Sequence, residues 1–133
     1  MAENEPSYAR GAVHGNVLVI TVMVEQLRDA NTSYALRDEM LRLVEEAKTN
    51  RVIIDLKNVA FLGSIGLLAL LAVRRRLEGG RIVICNMSYA IRSVFDLCRL
   101  IAEGPSATAP FEAESSLDAA LDRLSKESPT GKK

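Results

Sequence analysis

The segment that runs Arg51-Val-Ile-Ile-Asp-Leu, then Ile65 to Leu77, then Gly79-Gly80 and Ile82 to Cys85 constrains the fold more than any other part of the chain. Its opening is a short, apolar, β-branched run that reads as a buried strand, Val52 to Leu56. The stretch from Ile65 is rich in leucine and alanine and too long for a strand, so the pattern predicts a helix from Ser64 to Glu78. The glycine pair supplies a left-handed stop, and Ile82 to Cys85 reads as the next strand. Strand, helix and strand in that order make a βαβ unit, which commits the chain to parallel strands joined by a right-handed crossover.

The rest of the chain fits around this unit. Tyr8 to Val13 and Val17 to Val24 read as two strands, with His14-Gly15-Asn16 as a short hairpin turn between them. Leu36, Met40, Leu43, Val44 and Ala47 recur at helical spacing and predict a helix from about Ser33 to Lys48, capped by Asn31, Thr32 or Ser33. A third helix is expected from Tyr89 to Leu100 with Ile91, Val94, Phe95 and Cys98 inward. A final edge strand from Ala107 to Phe111 and a short helix from Ser115 to Leu124 complete the pattern. With 133 residues, 48% of them hydrophobic, the chain suffices for one core and no second domain. The expected organisation is a disordered stretch over residues 1–6, an α/β domain over 7–125 and a flexible polar tail over 126–133. The sheet is expected to be mixed but mostly parallel, of about five strands with an N-terminal hairpin and about four helices.

Charge and chemistry narrow the function. Seventeen basic residues balance seventeen acidic ones, so no overall field draws nucleic acid or an anionic membrane. The longest apolar run, Ile65 to Val73, is far short of a membrane span, and the acidic, polar start of the chain is no targeting signal. Cys85 and Cys98 form no Cys-x-x-Cys pair and read as buried thiols in a reducing cytoplasm. One histidine and two separated cysteines make a poor metal site, and no glycine-rich phosphate loop is present, so no metal or cofactor is expected. Gly63-Ser64-Ile65-Gly66 superficially resembles a hydrolase nucleophile turn, but Leu62 stands where that turn needs glycine and the sole histidine, His14, lies far off in sequence. The chain reads as a non-enzyme.

Ser64 remains the most informative residue, because it falls where the loop after a strand becomes a helix. Free backbone N–H groups and the helix dipole favour an anion there, so a hydroxyl caps the helix and a phosphate is tolerated. The helix that it opens has almost no polar face until Arg74-Arg75-Arg76, which together with Arg81 complement the dipole at its other end. One side of this helix must pack on the sheet. The other side either is covered by neighbouring helices or leaves an apolar strip, including Leu68, that suits a partner.

Asp55-Leu56 at a strand end, Phe61-Leu62-Gly63-Ser64-Ile65-Gly66-Leu67 at the helix entry, the Gly79-Gly80 stop and the late Phe111, Ser115, Ser116 and Ala119-Ala120 resemble the STAS family of anti-sigma factor antagonists over nearly the whole domain. The resemblance implies a small α/β sandwich in which a serine or threonine at the helix entry is phosphorylated by a partner kinase that is also the anti-sigma factor. Ser64 falls on that position, Gly66 on the glycine two residues later and Asp55 on the acidic strand-end residue. The family's signature carries Asp before the serine and Ser or Thr after it, where this chain has Gly63 and Ile65. The implied function is that of a cytoplasmic antagonist. It sequesters an anti-sigma factor, a serine kinase of the histidine-kinase-like ATPase type, through Gly63, Ile65, Gly66, Leu68 and Asp55, and phosphorylation of Ser64 switches it off. Two other roles are compatible with the residues: a non-phosphorylated scaffold subunit of a signalling or lipid-transport complex, and a sensor of a small anion or nucleotide. The oligomeric state is not readable from the sequence.

Overall fold

The computed structural model describes residues 7–102 and 109–125, which form a five-stranded mixed sheet with four helices and a small accessory pair of strands. In chain order the elements are β1 (Ala9–His14), β2 (Val17–Val22), β3 (Gln26–Leu27), α1 (Ala30–Ala47), β4 (Arg51–Asp55), β5 (Phe61–Leu62), α2 (Ser64–Arg76), β6 (Arg81–Cys85), α3 (Tyr89–Leu97), β7 (Glu112–Glu114) and α4 (Leu117–Ser125). The sheet order is β1-β2-β4-β6-β7. Only β1 and β2 are antiparallel; β4 runs parallel to both β2 and β6, and β6 parallel to β7. A two-residue turn, Gly15-Asn16, closes the hairpin, with Gly15 at φ +63, where a side chain is disfavoured.

Two unequal cores sandwich the sheet. Alternate residues of the inner strands face opposite ways, so Leu18, Ile20, Val52, Ile54, Ile82 and Ile84 pack under α1, α2 and α3. Val17, Val19, Ile53, Val83 and Cys85 face the other way and meet Ala120 and Leu124 of α4. β4 lies between β2 and β6 and is covered on both faces, which is why its centre, Val52-Ile53-Ile54, is apolar without alternation. On the larger side, the Phe95 and Phe111 rings pack edge to face with centroids 5.9 Å apart, joining α3 to the segment that leads into β7. At the other edge of the smaller core, the Glu112 carboxylate receives the Arg81 and Arg123 guanidinium groups and ties β7 to β6 and α4.

Several boundaries differ from the sequence reading, each for a physical reason. α1 starts at Ala30, and its N-cap is Asp29, whose carboxylate accepts the Thr32 N–H at 2.9 Å, rather than Asn31, Thr32 or Ser33. Ser33 instead turns inward and is fully buried. His14 is the last residue of β1, paired with Val17, and not part of the turn. α3 stops at Leu97, so Cys98 is exposed and not an inward-facing thiol, while Cys85 is buried as expected. Arg99 at φ +57 reverses the chain there, and the Leu100 N–H donates back to the Phe95 carbonyl. The last strand of the sheet is Glu112–Glu114, with Phe111 bridging to Ile101 before it. Ala107 and Thr108 of the expected edge strand lie outside the described residues, as do residues 1–6 and 126–133.

Candidate functional site

The three larger-core helices all begin beyond the carboxyl ends of parallel strands, so their N-termini gather at one end of the sheet. Ser64 stands at that end as the first residue of α2. The turn that delivers it there is built by the accessory pair: β3 and β5 are parallel, with Gln26 opposite Phe61 and Leu27 opposite Leu62. The Ala60 N–H donates to the Glu25 carbonyl at 2.7 Å, and the Gly63 N–H donates to the Leu27 carbonyl at 2.9 Å. These bonds hold the loop between β4 and α2 against the segment leading into α1, and the position of Ser64 is thereby fixed from both sides.

The cap of α2 is Gly63, in extended backbone at φ −86 and ψ 179, and it contributes no side-chain hydrogen bond. Ser64 therefore sits one position inside the helix and is not the cap expected from its sequence. Its side chain is exposed, and its hydroxyl has no hydrogen-bond partner among the described residues. The other three helices satisfy their first turn with a side chain: Asp29 to the Thr32 N–H, Ser88 to the Ile91 N–H and Ser116 to the Ala119 N–H. In α2 no side chain does so and no acidic residue occupies the first turn. A free hydroxyl thus stands beside uncompensated backbone donors at the positive end of a dipole.

Beneath this entry the packing is tight. A side chain on Gly66 would place its Cβ 2.8 Å from both Leu27 Cβ and Leu62 Cδ1, so α2 approaches β3 and β5 closely only because residue 66 is glycine. A Cβ on Gly63 would lie 3.2 Å from the Leu27 carbonyl oxygen, so any side chain at this position meets a crowded backbone acceptor. Above it, Leu68 is 60% exposed and Phe61 39% exposed, whereas Leu67 and Leu71 are partly buried against the core and Leu70 and Val73 fully so. Neighbouring elements cover most of the helix, and Leu68, one turn after Ser64, is the apolar α2 side chain left exposed. The Arg28 guanidinium lies over the Phe61 ring, 4.2 Å from its centroid.

The sequence-predicted residues divide into two groups. Gly63, Ser64, Ile65, Gly66 and Leu68 form one contiguous helix entry, with Ser64 and Leu68 exposed, Ile65 and Gly63 half-buried and Gly66 buried. Asp55 is apart from them in depth: it is 1% exposed, and its carboxylate accepts the Lys57 N–H at 3.0 Å and the Asn86 side-chain amide at 2.9 Å. Asn86 adopts φ +61 just after β6, so this carboxylate pins the carboxyl ends of adjacent strands. Burial, and after it the charge of neighbouring Asp55, push the Cys85 thiol up to about 12, which leaves it protonated and unreactive. Sequence reasoning missed Arg28 and the β3–β5 pair that places it. A two-residue strand has no periodicity to detect, and the only signal was a lone apolar residue, Leu27, between Gln26 and Arg28.

No group of His, Cys, Asp and Glu able to hold a metal ion occurs among the described residues, and no helix there is long and apolar enough to cross a membrane. The mixed five-stranded sheet with its N-terminal hairpin and four helices defines a small α/β sandwich domain. The chain belongs to the STAS domain family, whose model matches residues 9–114. Among solved structures, it is similar to an anti-sigma factor antagonist from Mycobacterium paratuberculosis, with 26% identity, 89% of this chain and 93% of that chain covered, and a TM-score of 0.73. The anti-sigma factor antagonist SpoIIAA in its unphosphorylated form is 21% identical over 90% of this chain and 99% of that one, with a TM-score of 0.64. The phosphorylated form of SpoIIAA, a cell fate determinant of Bacillus, is 22% identical over 87% of this chain and 98% of its own, with a TM-score of 0.63. A search of curated proteins gives no match.

Proposed function

We propose that this protein is an anti-sigma factor antagonist that binds its partner through the α2 entry and is released from it by phosphorylation of Ser64. The observation behind this reading is the placement of an unengaged, exposed hydroxyl at the first position of α2, next to open apolar surface at Leu68 and Phe61. The kinship of the chain to the family and its likeness to anti-sigma factor antagonists support the same reading. The partner is a serine kinase of the histidine-kinase-like ATPase type. Its γ-phosphoryl group passes from ATP to Ser64 Oγ: the terminal P–O bond of ATP breaks, a P–O bond to the serine forms, and ADP and the hydroxyl proton leave.

The switch rests on electrostatics at an interface. Unmodified Ser64 is small and neutral, so a partner can close over Gly63, Ile65 and Leu68 and exclude water. Phosphate adds about −1.5 to −2 charges with three strongly hydrated oxygens. The helix terminus accepts that charge, so the domain stays folded, while the partner has to desolvate a dianion to reach the same surface. Asp55 acts from below, holding the strand ends on which this entry rests. Incubating the protein with the purified partner kinase and ATP, then mapping phosphate by mass spectrometry, tests the reading. Modification of Ser64, absent in Ser64→Ala, is the expected result. An unmodified chain that still binds the partner assigns the protein to the scaffold role instead.

A further inference from the structure

The β3–β5 pairing brings a cation alongside Gly63, the residue that precedes Ser64. The Leu27 carbonyl is bonded to the Gly63 N–H, so residue 28 lies alongside the residue that precedes the serine. The Arg28 guanidinium stacks on the Phe61 ring, and the edge of that same ring reaches to 3.4 Å from where a Cβ on Gly63 would stand. Arg28 donates through Nε to the Gln26 side chain, and its two terminal nitrogens have no hydrogen-bond partner among the described residues. The nearest carboxylate in sequence, Asp29, is occupied in capping α1. A planar fork of free donors is thus held ready on an aromatic ring next to the candidate modification site.

We propose that Arg28 is the internal counter-ion of a phosphate carried by Ser64, with Phe61 holding its guanidinium in reserve while the serine is unmodified. This inference rests on Ser64 as the phosphorylated residue. On modification, the guanidinium turns from the ring to the phosphate and forms charge-assisted hydrogen bonds, while the α2 backbone donors take the remaining oxygens. The phosphate then loses its last proton at lower pH and is fully dianionic near neutrality, and the Phe61 ring changes its cover at the same moment. Arg28 is a positioning residue, since it orients and stabilises the modification without transferring it.

The test installs phosphoserine at position 64 by chemical or genetic means, so that no kinase is needed, and tracks the phosphorus NMR signal against pH in the otherwise wild-type protein, in Arg28→Gln and in Arg28→Lys. Arg28 is exposed, so both variants leave the core untouched. The second phosphate pKa, ordinarily about 6, is expected to lie lower by roughly half a unit or more with arginine than with glutamine, and lysine is expected to restore part of the difference. Coincident titrations in the three proteins overturn the proposal. The kinase experiment above fails or succeeds independently: an unphosphorylated Ser64 there removes the modification from biology, while the titration still decides whether Arg28 reaches the phosphate.

Discussion

Replacing Ser64 with glutamate should strengthen the fold slightly while placing a charge at the point of contact. Position 64 is the first residue of α2, and neither an acidic residue in the first turn nor a side chain at the cap offsets the orphan N–H groups. A carboxylate there is worth about 0.3–1 kcal/mol, and solvent exposure favours the lower half of that range. For a domain of this size the corresponding rise in Tm is about 1–4 °C. Ser64→Gln is the control, since it matches shape without charge, and the difference between the two variants isolates the dipole contribution. The sign with pH is fixed by linkage. The dipole lowers the introduced carboxyl's pKa in the folded state, so the increment is present above the unfolded glutamate value, about 4.3, and is lost as pH falls through the folded one. High salt screens it as well. Urea unfolding at pH 7 and pH 3, at low and high salt, measures all of this. A Ser64→Glu protein less stable than Ser64→Gln at pH 7 and low salt refutes the placement of Ser64 at an uncompensated helix start.

Other perturbations probe the surroundings. Gly66→Ala drives a methyl group to 2.8 Å from Leu27 and Leu62, and urea unfolding should show a loss of about 1–3 kcal/mol; an unchanged midpoint contradicts the close approach of α2 to β3 and β5. Asp55→Ala leaves the Lys57 N–H and the Asn86 amide without their acceptor, and the same measurement should show a cost of about 1–3 kcal/mol. Burial raises the Glu112 pKa, but hydrogen bonds from Arg81 and Arg123 outweigh it and hold the carboxyl below its ordinary value. Its stabilising contribution is therefore complete above the unfolded glutamate pKa and disappears as pH falls through the folded one, so Glu112→Gln should flatten the acid limb of the stability curve. Iodoacetamide should label exposed Cys98 in the folded protein and spare Cys85, as read by peptide mass spectrometry; labelling of Cys85 before unfolding contradicts its burial.

How much of this was legible in the sequence depended on the length of each pattern. The βαβ unit from Arg51 to Cys85 has strands five residues long and a helix of 13, and its bounds agree with the sequence reading to within a residue or two. The doubly covered strand β4 announced itself by three consecutive β-branched residues, Val52 to Ile54. The cap of α1 was misread because Asn31, Thr32 and Ser33 all favour caps, and choosing Asp29 over them depends on Ser33 finding room in the core, a tertiary fact. Cys98 sits at helical spacing from Val94 and Phe95, but the helix ends before it, and the Arg99 reversal carries no glycine to signal the stop. At the site, Ser64 was legible from its position between a strand and a helix. That Gly63 rather than Ser64 caps the helix was not, because a glycine has no side chain to declare itself. The β3–β5 pair, which sets both Ser64 and Arg28, exists only through contacts between segments 35 residues apart in register, Gln26 with Phe61 and Leu27 with Leu62.

In the proposed switch, a charge on one exposed hydroxyl governs association. Calorimetric titration of the partner kinase domain, without ATP, with the unmodified protein and with protein carrying phosphoserine at position 64 measures this directly. Binding by the unmodified form and an affinity at least tenfold weaker, about 1.4 kcal/mol or more, for the phosphorylated form is the expected outcome. Equal affinities for the two forms contradict it.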